Sequence, residues 1–192
     1  MGNWWKGISE KKLAESELKL FTLNGVPEEA IEIRDVQLDG NGGGNSSSQN
    51  YLHEIKIRGV REGLPTLVMI HGYMAGGGQF FKMVNHLRPY FEIVMIDLLG
   101  LGRSGRPTEV QFDSFETTLS FYLNSIHKWT QLRGLGQNGD KFYLLGHSLG
   151  GLISGHYAVR YPDQIERLTL MSSVGISERP EDFKEDNFVA NR

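Results

Sequence analysis

The segment Lys141-Phe-Tyr-Leu-Leu-Gly-His-Ser-Leu-Gly-Gly-Leu152 passes from an apolar, strand-like run into a helix-like run across one polar residue, Ser148. A chain that turns from strand to helix within one residue brings together the backbones two positions before and two positions after the turn. Only glycine leaves room for that approach, and Gly146 and Gly150 occupy the two places. The apical serine is then held in a strained conformation at the carboxyl end of a strand, which suits a nucleophile. A pentapeptide this short also arises by chance in a glycine-rich chain. Its surroundings decide its meaning.

Those surroundings alternate short apolar runs with helical stretches. Thr66-Leu-Val-Met-Ile70, Glu92-Ile-Val-Met-Ile96, residues 141–145 and residues 165–171 read as strands, separated by helical stretches over 79–88, 114–132 and from Ser148 to Tyr161. Apolar strands separated by helices predict an α/β fold, a mostly parallel sheet with helices on both faces. Upstream, residues 31–38 and 51–58 alternate apolar and polar side chains, as antiparallel strands at the N-terminal edge of such a sheet would. Between them, residues 39–50 form a glycine- and serine-rich flexible loop with nothing to bury.

The chain therefore reads as an N-terminal amphipathic arm, residues 1–23, and one core domain, residues 24–192. In the arm Ala14, Leu18 and Phe21 fall at helical spacing, and Trp4 and Trp5 beside Lys6 suit contact with a lipid surface or packing on the domain itself. The 114–132 helix carries Phe115, Leu119, Tyr122, Ile126 and Trp129 on one stripe, with Asp113 and Glu116 as its capping box.

Composition excludes several classes. The 192 residues, 39% of them hydrophobic, supply one core, and a net charge of −3 offers no footprint for nucleic acid. The absence of cysteine rules out disulfides, thiolate nucleophiles and thiolate metal sites, and the histidines show no metal-ligand spacing. Neither a metal nor another cofactor is expected. No apolar run approaches the roughly 20 residues of a membrane span, and the N-terminus lacks the apolar block of a signal peptide. The expected location is intracellular, cytoplasmic or peripheral to a membrane or lipid droplet, with mitochondria also open.

Directly after the 66–70 strand comes His71-Gly72-Tyr73-Met74. Acyl transfer needs donors aimed at the developing oxyanion, each worth about 3–4 kcal/mol. The backbone N–H groups of Leu149 and Tyr73 are the candidates, with His71 and Gly72 forming the loop. Gly100-x-Gly102-x-x-Gly105 formally matches a dinucleotide fingerprint, but Arg106-Pro107 follows where a helix would have to open. It reads better as a structural loop in which Asp97 and Ser104 hydrogen-bond within the turn.

Taken together, His71-Gly72, Asp97-Leu-Leu-Gly-Leu-Gly-Arg-Ser-Gly-Arg-Pro107 and Gly146-His-Ser-Leu-Gly-Gly151 resemble the α/β-hydrolase superfamily of serine hydrolases. Arg160-Tyr-Pro162, Gly175-Ile-Ser-Glu-Arg-Pro180 and the tryptophan-bearing arm resemble, more narrowly, the subfamily of N-acyl-phospholipid lysophospholipase B-type lipases and the lipid-droplet co-activator of triglyceride lipase. The likeness implies Ser148 as nucleophile, Leu149 and Tyr73 as oxyanion donors, a lipid carboxylic ester as substrate and no cofactor. The co-activator branch lacks the serine, so Ser148 favours the hydrolase branch. Superfamily members that act on epoxides or haloalkanes carry aspartate where Ser148 stands.

The family continues past its sixth strand with a lid, two strands, an acid and a histidine. After Ser148 this sequence has one histidine, His156, about 12 Å along the helix. His147 flanks the elbow, while His53, His86 and His127 sit on predicted element faces. The expectation is an incomplete core that ends after its sixth strand, a lipase, esterase or phospholipase inactive alone for want of the triad acid and histidine. The alternatives are a non-catalytic lipid-surface or protein-binding module, and an acyltransferase that uses the same elbow.

Overall fold

A computed structural model of the chain describes residues 9–39, 49–108, 110 and 112–176. The described elements run α1 (Glu10–Thr22), β1 (Ile31–Gln37), β2 (Tyr51–Ile57), β3 (Thr66–Ile70), α2 (Phe81–Leu87), β4 (Glu92–Ile96), α3 (Phe115–Leu132), β5 (Phe142–His147), α4 (Leu149–Arg160) and β6 (Ile165–Met171). The six strands form one sheet in the order β1-β2-β4-β3-β5-β6. β1 and β2 are antiparallel, β2 is antiparallel to β4, and β4, β3, β5 and β6 are mutually parallel.

Side chains alternate across a strand, so each central strand feeds two cores. Val68, Ile70, Val94, Ile96 and Leu144 face Ile126 and Trp129 of α3 and Ile153 and Tyr157 of α4. Leu67, Met69, Ile93, Met95 and Leu145 face Phe21 of α1, Val84 of α2 and Phe80 just before α2. Helices thus cover both faces, and the apolar runs at β3 and β4 are continuous because neither side of the sheet meets water.

α1 starts at Ser9, whose hydroxyl accepts from Lys12 N–H, and docks through Phe21, which is fully buried. Glu17 shares the buried side of this helix with it. Trp4 and Trp5 lie outside the described residues.

Three local details differ from the sequence reading. The helix expected over 79–88 begins as a 3₁₀ turn, Gly77–Phe80, and becomes α-helical only over Phe81–Leu87. The cap of α3 lies one residue later than Asp113. Ser114 Oγ accepts from Thr117 N–H at 3.2 Å and Thr117 Oγ1 accepts from Ser114 N–H at 3.0 Å, so two hydroxyls close the box. Phe115, in the first turn, is 55% exposed, because the apolar stripe reaches the sheet only from Leu119 onward.

Candidate active site

β3 lies at the centre of the parallel strands, and the chain leaves it for β4 through α2 on one face, then crosses to β5 through α3 on the other. The carboxyl ends of β3 and β5 therefore bound the crevice where crossovers diverge, the usual ligand position in open α/β sheets. Ile70 pairs with Gly146, which sets the loop after β3 beside the turn after β5.

Ser148 sits in that turn with φ 53° and ψ −117°, a conformation non-glycine residues rarely adopt. Its N–H donates to Met171 O at 3.1 Å, and its carbonyl accepts from Gly151 and Leu152 in the first turn of α4. A Cβ on Gly146 would run into Gly150 O and Ser154 Oγ. A Cβ on Gly150 would run into the carbonyl oxygens of Ile70 and His71. The second contact explains Gly150 by its closeness to the neighbouring strand as well as to the turn.

Gly72 faces the serine directly: a Cβ there would lie 3.1 Å from Ser148 Cβ and 3.0 Å from His147 Nδ1. Tyr73 follows in an exposed turn and Met74 takes a positive φ of 55°. Leu149 opens α4, where first-turn N–H groups have no intrahelical acceptor. Among the described residues neither the Leu149 nor the Tyr73 N–H donates to a backbone acceptor.

The loop is fastened from beneath. His71 is buried; its Nε2 accepts from Leu98 N–H at 2.9 Å, so Nδ1 carries the proton and donates to Gly72 O at 2.7 Å. Burial holds its pKa below the ordinary 6.5, against the raising effects of the Gly72 carbonyl and the Asp97 charge. The neutral ring is thus a strut, since an imidazolium could not accept from Leu98.

His53 behaves oppositely. Burial lowers its pKa, but the carboxylates of Glu17 (3.0 Å) and Asp35 (2.7 Å), with the Asp97 charge, outweigh burial and raise it above 6.5. A depressed histidine contributes stability that is complete above its unfolded pKa and lost as pH falls; a raised one contributes stability that is complete below it and lost as pH rises. Urea midpoints should therefore fall as pH drops below about 6.5, and His71→Asn should remove part of that fall. They should also fall toward alkaline pH, and His53→Gln should flatten that limb.

The remaining histidines are occupied elsewhere or stand apart from the serine hydroxyl. His127 stacks on Tyr161 at 4.1 Å and His156 meets the Phe115 ring at 6.0 Å. His147 Nδ1 is buried against Gly72 without a partner, and His86 closes the last turn of α2. Among the described residues no histidine or carboxylate hydrogen-bonds the Ser148 hydroxyl, and no group of three or more His, Asp or Glu side chains could hold a metal ion.

The cluster of Glu17, Asp35, His53 and Arg103 was not anticipated. One signal for it was present: Glu17 falls on the same helical stripe as Ala14, Leu18 and Phe21, where a carboxylate needs a buried partner.

A serine held at a strand-to-helix turn in a predominantly parallel sheet, with a glycine loop packed against it, defines a chain of the α/β-hydrolase class. Residues 65–190 match the model of the alpha/beta hydrolase fold family, and the chain belongs to that family. Within it, the chain is 37% identical over 132 residues to a 1-acylglycerol-3-phosphate O-acyltransferase of Arabidopsis thaliana, covering 69% of this chain and 30% of that protein. It is 32% identical over 135 residues to a (lyso)-N-acylphosphatidylethanolamine lipase of Bos taurus, covering 70% of this chain and 38% of that one. The chain thus spans about a third of the length of the curated relatives it matches. A bacterial membrane phospholipase A superposes with a TM-score of 0.68 at 24% identity over 94% of this chain and 50% of its own, a likeness of fold alone. Among the described residues no helix is long and apolar enough to cross a membrane.

Proposed function

We propose that Ser148 is the acyl-accepting nucleophile of an enzyme acting on a lipid carboxylic ester. Ser148 Oγ would bond to the ester carbonyl carbon and its proton would pass to a base. The carbonyl oxygen would take up negative charge between the Leu149 and Tyr73 N–H groups, and the alcohol would leave carrying a proton. The acyl group would then pass to water or to a lipid hydroxyl. The observation that carries this reading is the strained backbone of Ser148 with Gly72 packed against it. Such strain persists only where the surroundings enforce it, and it costs about 1–3 kcal/mol.

Relatives named as an acyltransferase and as a lipase share this part of the fold, so water and a lysolipid hydroxyl are both candidate acceptors. Trp4 and Trp5 would add contact with the lipid surface. A fluorophosphonate probe, followed by peptide mapping, tests the nucleophile. We expect a single slow adduct on Ser148, absent in Ser148→Ala; no adduct at Ser148, or equal modification of other serines, overturns the proposal in favour of a non-catalytic binding module. Supplying a labelled acyl donor with and without a lysophospholipid then separates transfer from hydrolysis.

A further inference from the structure

The loop that packs against Ser148 is tied to the N-terminal helix by a continuous polar chain. Asp97, 2% exposed, directly follows β4 and holds two backbones at once: Oδ1 accepts from Gly77 N–H at 2.5 Å and Oδ2 accepts from Arg103 N–H at 2.6 Å. Gly77 lies five residues beyond Gly72 in the same loop, and a Cβ on Gly76 would lie 3.0 Å from that carboxylate. Asp97 is itself braced, because Ser104 Oγ donates to its carbonyl at 2.6 Å and accepts from His53 N–H at 2.9 Å.

Arg103 turns its guanidinium the other way. Its Nη1 donates to Glu17 of α1 at 2.5 Å, and Glu17 also meets His53 Nε2 at 3.0 Å. Glu10, the first residue of the same helix, adds a longer contact at 3.7 Å. Taking a carboxylate out of water is costly, and an apolar residue of similar size is often neutral or better where the only task is attachment. The neighbouring Phe21 already supplies apolar docking surface on α1. Glu17 therefore specifies something that a leucine could not: the position of Arg103 and, through it, of the Asp97 carboxylate.

We infer that Glu17 and Arg103 are positioning residues, through which docking of α1 sets the loop between Gly72 and Gly77 beside Ser148. The functional part of this inference rests on the reading of Ser148 as nucleophile; the coupling itself does not. Because α1 lies within the same N-terminal arm, residues 1–23, as Trp4 and Trp5, anything that draws the arm away would act on that loop by the same route.

The test compares amide exchange in the whole chain with that of Glu17→Gln, with Lys19→Gln on the exposed side of the same helix as control. Glu17→Gln should accelerate exchange of the Gly77 and Arg103 amides by about tenfold or more while leaving β5 and β6 amides unchanged. The reversed pair Glu17→Arg with Arg103→Glu should restore part of the protection. Unchanged exchange at Gly77, or acceleration spread evenly over all strands, overturns the coupling, since either result leaves Glu17 a mere fastener of α1. Fluorophosphonate labelling of the same variants forms a separate arm. If the parent labels at Ser148 and Glu17→Gln slows that by about tenfold, the coupling reaches the chemistry. If the parent does not label, the nucleophile reading fails and the exchange data still decide the coupling.

Discussion

Gly150→Ala is expected to lower the unfolding free energy by about 3 kcal/mol or more, a fall of roughly 6–12 °C in melting temperature for a chain of this size. Two effects compete. Alanine is the better helix former by about 1 kcal/mol, and Gly150 is the second residue of α4. The new Cβ, however, would fall against Ile70 O and His71 O, well inside the 3.0 Å limit that real Cβ atoms respect. Both atoms belong to backbone fixed by the sheet and by the His71 strut, so neither can withdraw as a flexible side chain would. The clash wins. Gly155→Ala, in the same helix with nothing within 4 Å of its Cβ, isolates the propensity effect and should stabilise by about 0.5–1 kcal/mol. Thermal unfolding of the two variants side by side checks the argument; equal effects would refute it.

Trp129→Ala should cost about 3–5 kcal/mol, and Trp129→Phe about 1–2 kcal/mol, measured by urea unfolding. Trp129 is fully buried between α3 and the sheet, and its indole N–H donates at 2.8 Å to Glu54, a carboxylate with no exposed surface. Alanine opens a cavity and removes that donor. Phenylalanine fills most of the cavity and leaves Glu54 to Arg133 at 3.0 Å and Arg34 at 3.3 Å. The difference between the two variants therefore separates packing from the satisfaction of a buried charge.

Reading Trp129 as core from its place on a helical stripe was sound, because a 3.6-residue period is a local property. Its partner was not legible. Glu54 stands in an alternating strand where a carboxylate reads as the solvated side, yet β2 is an interior strand, flanked by β1 and by β4. That placement turns both of its faces inward and buries His53 toward α1 and Glu54 toward α3. The antiparallel contact of β2 with β4 joins segments almost forty residues apart in sequence, and no local pattern encodes it. Phe115 shows the converse: it fits the stripe and is still exposed, since a helix can begin ahead of the sheet it covers.

The sequence by itself determined the alternation of strands and helices, the parallel core, and the strand-to-helix turn around Ser148. These follow from side-chain periodicity and from the steric freedom of Gly146 and Gly150, both properties of neighbours along the chain. Only the tertiary structure decided that Gly72 faces Ser148, that His71 must be neutral to hold that loop, and that Glu17 of α1 reaches it through Arg103 and Asp97. Each depends on strand order and register, which bring together residues distant in sequence and take their polar groups out of water, where an exact partner becomes obligatory.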